Sequence, residues 1–209
     1  GYPDVGLVTL EEMTRNARYI ADAVGIPVII DADNGYGNAI NVVRTVREFE
    51  HAGVAGIHLE DQTWPKRCGH MFGKALIAKE EMCQKLKAAQ DAREDDNFVI
   101  IARCDAMLVN GLDDVLDRCN AYIEAGADML FCEVRESKEE IEAVAAAFKD
   151  KVPLHWNHSP SPMVPRLSAK QVEAMGFKTC CFYVQSLMAA AKTMQEVLAE
   201  IRKSGTSEG

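Results

Sequence analysis

Short, nearly continuous apolar runs alternate with helix-period segments along this chain, and that alternation limits its fold more than any other feature. Val28-Ile29-Ile30, Phe98-Val99-Ile100-Ile101-Ala102 and Met129-Leu130-Phe131-Cys132 show no polar alternation. Strands of this kind are covered on both faces, as in a parallel sheet wrapped by helices. Between the first two runs, Ile40, Val43, Val46 and Phe49 recur every three residues and end at Gly53, a helical stripe with a glycine stop.

Read through, the pattern predicts strands over 27–30, 56–59, 98–102, 129–132, 152–156 and 178–183. Helices are expected over 10–24, with Thr9 as N-cap, and over 38–52, 79–93, 112–125, 138–149, 168–175 and 187–203. Function-bearing residues at successive strand ends favour a (β/α)8 TIM-type barrel over an open sheet, the doubly wound sheet being the alternative. A barrel needs eight strands, so the chain is expected to lack one or two βα units. Its loop-like opening, Gly1-Tyr2-Pro3-Asp4, places them at the N-terminus. Residues 1–203 are read as one partial barrel domain and 204–209 as a frayed tail.

Composition narrows the class of function. At 209 residues, 48% hydrophobic and 26% charged, the chain has the make-up of an ordinary globular domain. A net charge of −9 with no basic stripe argues against nucleic acid, and no apolar run approaches the ~18 residues of a membrane span. No signal peptide is visible. Seven cysteines, odd in number and without zinc-site spacing, point to a reducing compartment: the cytoplasm, or the mitochondrial matrix after removal of a targeting segment.

The polar residues gather where the predicted strands end. Asp31-Ala32-Asp33-Asn34-Gly35-Tyr36-Gly37 follows the first strand, His58-Leu59-Glu60-Asp61-Gln62 the second, Arg103-Cys104-Asp105 the third, Glu133 the fourth and Asn157-His158-Ser159-Pro160-Ser161 the fifth. Hard carboxylate oxygens suit Mg²⁺, with Mn²⁺ as a substitute. Asp-x-Asp in a loop is also a common turn and cap device, and Glu133 could pair with a surface cation. The most reactive-looking segment is Lys66-Arg67-Cys68-Gly69-His70, in which neighbouring cations favour a thiolate and make Cys68 an acid/base candidate; alone it would read as a buried thiol. Gly69 and Gly73 flank a loop expected to close over substrate.

These motifs together resemble the isocitrate lyase and phosphoenolpyruvate mutase superfamily over essentially the whole chain. Gly1 to Gly6 resembles its loop after the second strand, Asp31 to Gly37 its metal loop, and Lys66 to His70 the catalytic loop of its carbon–carbon lyase branch, the 2-methylisocitrate lyase-like proteins. Asn157, Ser159 and Ser161 resemble an isocitrate lyase segment that holds a substrate carboxylate, and Tyr183 stands where isocitrate lyases carry a small hydroxyl residue.

The resemblance implies an eight-stranded barrel with its last helix exchanged between subunits, in a homo-oligomer built as a dimer of dimers. It implies a Mg²⁺-dependent lyase that cleaves 2-methylisocitrate to pyruvate and succinate, or isocitrate to glyoxylate and succinate. The alternatives on the same scaffold are an oxaloacetate hydrolase or decarboxylase, a dimethylmalate lyase and a phosphonomutase. Asp31 would hold the metal, with Asp4, Asp33 and Glu60 mainly through water. Cys68, His70, Lys66, Arg67 and Arg103 would be catalytic, and Gly69, Glu133, Asn157, Ser159 and Ser161 would bind a small carboxylic acid substrate.

Overall fold

A computed structural model describes residues 2–69, 71–134, 137–161 and 164–207, and in them six strands alternate with eight helices. In chain order these are α1 (Leu10–Ala23), β1 (Ile29–Asp31), α2 (Ala39–His51), β2 (Gly56–Glu60), α3 (Lys79–Ala92), β3 (Val99–Cys104) and α4 (Met107–Asn110). They continue as α5 (Leu112–Glu124), β4 (Met129–Cys132), α6 (Lys138–Phe148), β5 (Leu154–Asn157), α7 (Ala169–Met175), β6 (Thr179–Cys181) and α8 (Gln185–Ser204).

Local chemistry sets the helix starts. Thr9, Asn38, Ser137 and Ser168 each cap a helix reciprocally with the side chain three residues on. Such a cap contributes about 1 kcal/mol.

Every strand runs parallel to its sequence neighbour, in the order β1-β2-β3-β4-β5-β6. A doubly wound sheet would reverse that order at a switch point, so the sheet is an arc of a TIM-type barrel, a curled half-barrel of six strands. β1 and β6 each have a strand partner on one side only. The expected strand count holds, with ends shifted by one or two residues, and α4 is an added turn of helix. The helical part of the expected tail reaches Ser204, and Glu208 and Gly209 lie outside the described residues.

The period of two along each strand separates two environments. Ile57, Leu59, Ile100, Leu130 and Trp156 face the helices and join Phe49, Met82, Leu86, Tyr122 and Phe148 in the main core. Fully burying each such side chain stabilises the fold by roughly 1.5–3 kcal/mol. Ile101, Met129 and Phe131 form a second cluster. They share their strand parity with Arg103 and Glu133, so this concave face leads to the strand ends. The last helix differs from the rest: α8 has no buried residue, and Leu187, Met188, Met194 and Leu198 are exposed on it.

Candidate active site

One cavity of ≈ 310 Å³ opens at the carboxyl ends of the strands, lined by Asp4, Asp31, His58, Cys68, Gly69, Arg103, Phe131, Glu133, Asn157 and Tyr183 among others. Strand register explains the convergence. Asp31 lies beside His58, Glu60 beside Arg103, and Arg103 beside Phe131 on adjacent strands, which brings residues far apart in sequence to one rim.

The acidic loop after β1 is tightly turned. Asp33 (φ +48°), Gly35 (φ +85°) and Tyr36 (φ +59°) adopt left-handed backbone, which costs roughly 1–2 kcal/mol at each non-glycine position. Gly35 is required on a second ground, since a Cβ there would sit 2.5 Å from Val42 Cγ2. The Asp33 amide donates to Asp31 Oδ1 (2.8 Å), and the Tyr36 amide to Asn34 Oδ1 (3.1 Å). Asp31 therefore holds its own loop while facing the cavity.

Lys66 is the hub of the acidic group. Its buried Nζ lies 2.6 Å from Asp4 Oδ1, 2.9 Å from Asp33 Oδ1 and 3.7 Å from Glu60 Oε1. Burial works against its charge, but Glu60, Asp31 and Asp33 outweigh it and hold the ammonium protonated. Burial likewise raises Glu60 well above the usual carboxylate range, with Arg103 opposing and Asp105 reinforcing the shift. At Asp31 burial is overcome by His58, Arg103 and Lys66, and the carboxyl stays below its ordinary value. His58, 3.4 Å from Asp31, is pushed below its ordinary value by burial, with the Asp31 carboxylate opposing the shift.

Arg103 is fixed from three sides. Its Nε donates to Asp105 Oδ2 (3.0 Å), its Nη1 lies 3.3 Å from Glu60 Oε2, and its guanidinium stacks 5.0 Å from the Phe131 ring centre. Asp105 also accepts from Lys74 Nζ (2.6 Å). Burial opposes ionisation of Asp105, yet Arg103 and Lys74 keep it far below the ordinary range. Lys74 also donates to the Gly69 carbonyl (3.0 Å), which ties the cysteine loop to β3.

Gln62 anchors the other end of that loop. Its Nε2 donates to the Arg67 carbonyl (2.9 Å), and its Oε1 accepts from the Arg67 amide (3.0 Å). Cys68 thereby meets the cavity beside Gly69, where a Cβ would stand 2.5 Å from Arg103 Nη2. The cationic neighbours expected to favour its thiolate are engaged elsewhere: Lys66 with the carboxylates, and Arg67 Nη1 with the Phe72 carbonyl (3.4 Å). His70 lies outside the described residues.

On the far side, Asn157 Nδ2 donates to Glu133 Oε2 (3.3 Å) and both line the cavity. Ser159 Oγ accepts from the Ser161 amide (3.1 Å) and lies 3.5 Å from the Tyr183 hydroxyl. At this rim it is Asn157 and Tyr183, rather than the two serines, that line the cavity.

Of the four expected metal-site carboxylates, Asp4 and Asp31 line the cavity, and Asp33 and Glu60 stand behind them around Lys66. Among the described residues no three His, Cys, Asp or Glu side chains are arranged to cage an ion unaided. Mg²⁺ does not require such a cage, because it keeps several waters and takes one or two carboxylates directly. Both Glu60 oxygens are buried without a hydrogen-bond partner, and the donor set is all oxygen. The all-oxygen donor set of Asp31, Asp4, Asp33 and Glu60 therefore fits a hard divalent cation such as Mg²⁺ or Mn²⁺.

Sequence reasoning missed the supports. Asp61, fully buried, accepts from the Asp105 amide (2.9 Å) and the Tyr122 hydroxyl (2.7 Å), with Arg118 Nη1 at 3.4 Å. The available signal was a cation inside an apolar helix stripe: Arg118 lies among Val115, Cys119 and Tyr122.

Comparison with known proteins agrees with this geometry. The chain is 44% identical over 211 residues to 2,3-dimethylmalate lyase of Eubacterium barkeri, covering 100% of this chain and 72% of that protein. It is 44% identical over 206 residues to 2-methylisocitrate lyase of Aeropyrum pernix, covering 99% and 66%. The fold superposes on oxaloacetate acetylhydrolase in complex with 3,3-difluorooxalacetate with a TM-score of 0.95 at 36% identity, covering 100% and 71%. For phosphonopyruvate hydrolase in complex with oxalate and Mg²⁺ the TM-score is 0.88 at 33% identity, covering 99% and 71%. The phosphoenolpyruvate phosphomutase profile matches residues 1–202, and the chain belongs to that family, within the PEP mutase/isocitrate lyase superfamily.

Proposed function

We propose that this protein is a Mg²⁺-dependent carbon–carbon lyase acting on a 2-hydroxy di- or tricarboxylate, with 2-methylisocitrate, isocitrate and 2,3-dimethylmalate as the leading substrates. The observation that carries this reading is that Cys68 lines one cavity with Asp31, Arg103 and Glu133, its neighbour Gly69 lying against the Arg103 guanidinium.

Cleavage next to a hydroxyl breaks the bond between the carbinol carbon and its neighbour. The hydroxyl gives its proton, through water, to a carboxylate of the acidic rim and becomes the carbonyl of an oxo acid, while the electron pair of the broken bond passes to the second carbon and delocalises into its carboxylate. Asp31, with Asp4, Asp33 and Glu60, would hold a Mg²⁺ whose positive charge would offset the negative charge that develops during cleavage. Arg103, already aligned by Asp105, presents its guanidinium to a substrate carboxylate. Asn157 donates to the leaving acid, Ser159 and Ser161 shape that rim with Tyr183, and Glu133 orients Asn157. Cys68 then delivers its thiol proton to the carbanion carbon. Lys66 holds Asp33 and Glu60 in place, and Arg67 and His70 would add positive field to the site.

Oxaloacetate cleavage is the second reading, favoured by the overlap with oxaloacetate acetylhydrolase and by the Tyr183 phenol at the substrate rim. The exposed apolar residues of α8 support burial against further copies of the chain, as a dimer of dimers. Seven cysteines, all thiols, fit a cytoplasmic setting.

The test is release of pyruvate, glyoxylate and propionate from 2-methylisocitrate, isocitrate and dimethylmalate with Mg²⁺, run in parallel with Cys68→Ser. We expect one substrate to be cleaved and the variant to lose at least 100-fold in kcat. Equal turnover by Cys68→Ser would refute the acid role, and turnover of oxaloacetate alone would favour the second reading.

A further inference from the structure

The helix stripe Met82, Lys85, Leu86, Ala89 of α3 is buried throughout, and one of its members is a lysine only 1% exposed. A cation inside an apolar stripe loses hydration and is retained only where it has something to hold. Lys85 Nζ donates to the backbone carbonyl of Asn34 (2.9 Å), in the middle of the acidic loop after β1. Burial lowers its pKa, and Glu81 and Glu60 oppose that shift.

A second buried side chain acts on the next carbonyl. Thr45 Oγ1, on α2, lies 3.0 Å from the Gly35 carbonyl and 3.0 Å from that of Asn41, its single hydrogen shared between them. Two helices thus fasten consecutive carbonyls of one loop from behind, at the residues between left-handed Asp33 and left-handed Tyr36. Neither side chain lines the substrate cavity.

We propose that Lys85 and Thr45 are positioning residues for divalent-metal binding, holding the loop that carries Asp31 and Asp33 from the helix layer. The inference rests on the metal reading of the site given above. With the two bonds in place, the backbone turn that aims Asp31 into the cavity is fixed before the ion arrives, so affinity includes little ordering cost. Without them the loop must be ordered by the ion itself.

The experiment measures Mn²⁺ affinity by electron paramagnetic resonance, without substrate, for the wild-type protein, Lys85→Met, Lys85→Arg and Thr45→Val. Thermal midpoints are recorded in parallel, and Phe148→Leu serves as a core variant remote from the loop. We expect Mn²⁺ binding to weaken at least tenfold in Lys85→Met and several-fold in Thr45→Val, while Phe148→Leu lowers the midpoint and leaves affinity unchanged. Faster amide exchange across 33–37 accompanies the loss. Folded Lys85→Met and Thr45→Val binding Mn²⁺ as tightly as wild type would overturn the proposal. If Lys85→Met does not fold, Thr45→Val decides alone. Wild-type protein that binds no Mn²⁺ would instead remove the metal reading beneath the inference.

Discussion

Lys66 sets its Nζ 2.9 Å from Asp33 Oδ1, joining the loop that carries Cys68 to the acidic loop after β1. The positive charge of Lys66 thus organises carboxylates. Lys66→Met removes the ammonium and leaves Glu60 and Asp33 buried without it. Breaking a buried pair from one side costs about 3–5 kcal/mol. Urea denaturation should show a loss of that size, and midpoints equal to wild type would contradict the hub role.

Gly69 has no room for a side chain, because a Cβ would meet Arg103 Nη2 at 2.5 Å and Glu133 Cδ at 3.3 Å. Arg103 cannot give way easily, being held by Asp105 and Glu60. Gly69→Ala should lower kcat/KM by roughly 100-fold, the scale of an ångström-level misplacement. A thermal midpoint near wild type is expected alongside. An unimpaired variant would show that the guanidinium position is not critical.

His155 gives stability a pH dependence. Burial, His58 and Arg103 lower its pKa from 6.5 to about 4, and its Nδ1 lies 2.7 Å from Thr179 Oγ1. Between those two values the unfolded chain binds the proton and the folded chain does not, so stability falls as pH drops from 6.5 towards 4. The slope from one such group is at most about 1.4 kcal/mol per pH unit. Denaturation at pH 7, 5.5 and 4.5 should show the decline, with a shallower one in His155→Gln. Identical slopes would exclude His155 as a source.

Asp61 carries the turn that presents Asp105. Tyr122→Phe removes one donor to it (2.7 Å) and should cost about 1 kcal/mol. Asp61→Asn disturbs the Asp105 amide, Tyr122 and Arg118 together, and should cost about 1–3 kcal/mol or more. In a double-mutant cycle the two losses should be clearly non-additive; simple additivity would show that the network is not cooperative.

The sheet was legible because its signals are local. The β4 run Met129–Cys132 was read to the residue, and Thr9 announced its helix through a polar cap. Strand ends with acids and Arg103 also pointed to the rim where the cavity opens. Pairing inside the site was less legible. Lys74 meets Asp105 across 31 positions, Lys85 meets Asn34 across 51, and Asp61 meets Tyr122 across 61. Nothing in a local period specifies such contacts, which appear only once neighbouring βα units pack. For the same reason the Lys66 charge was expected beside Cys68, its neighbour in sequence, when the folded chain offers it carboxylates from two other loops.

The reciprocal caps at the starts of α2, α6 and α7 have a chemical consequence, because each of these helices is the next one after a strand, β1, β4 and β5 in turn. Helix N-termini ordinarily attract anions through unpaired amides. Here Asn38, Ser137 and Ser168 have already claimed amides at those ends with their own oxygens. At these three ends the chain answers its own amides, and the guanidinium that lines the cavity is that of Arg103. Side chains at the rim can then change with these three helix starts left undisturbed.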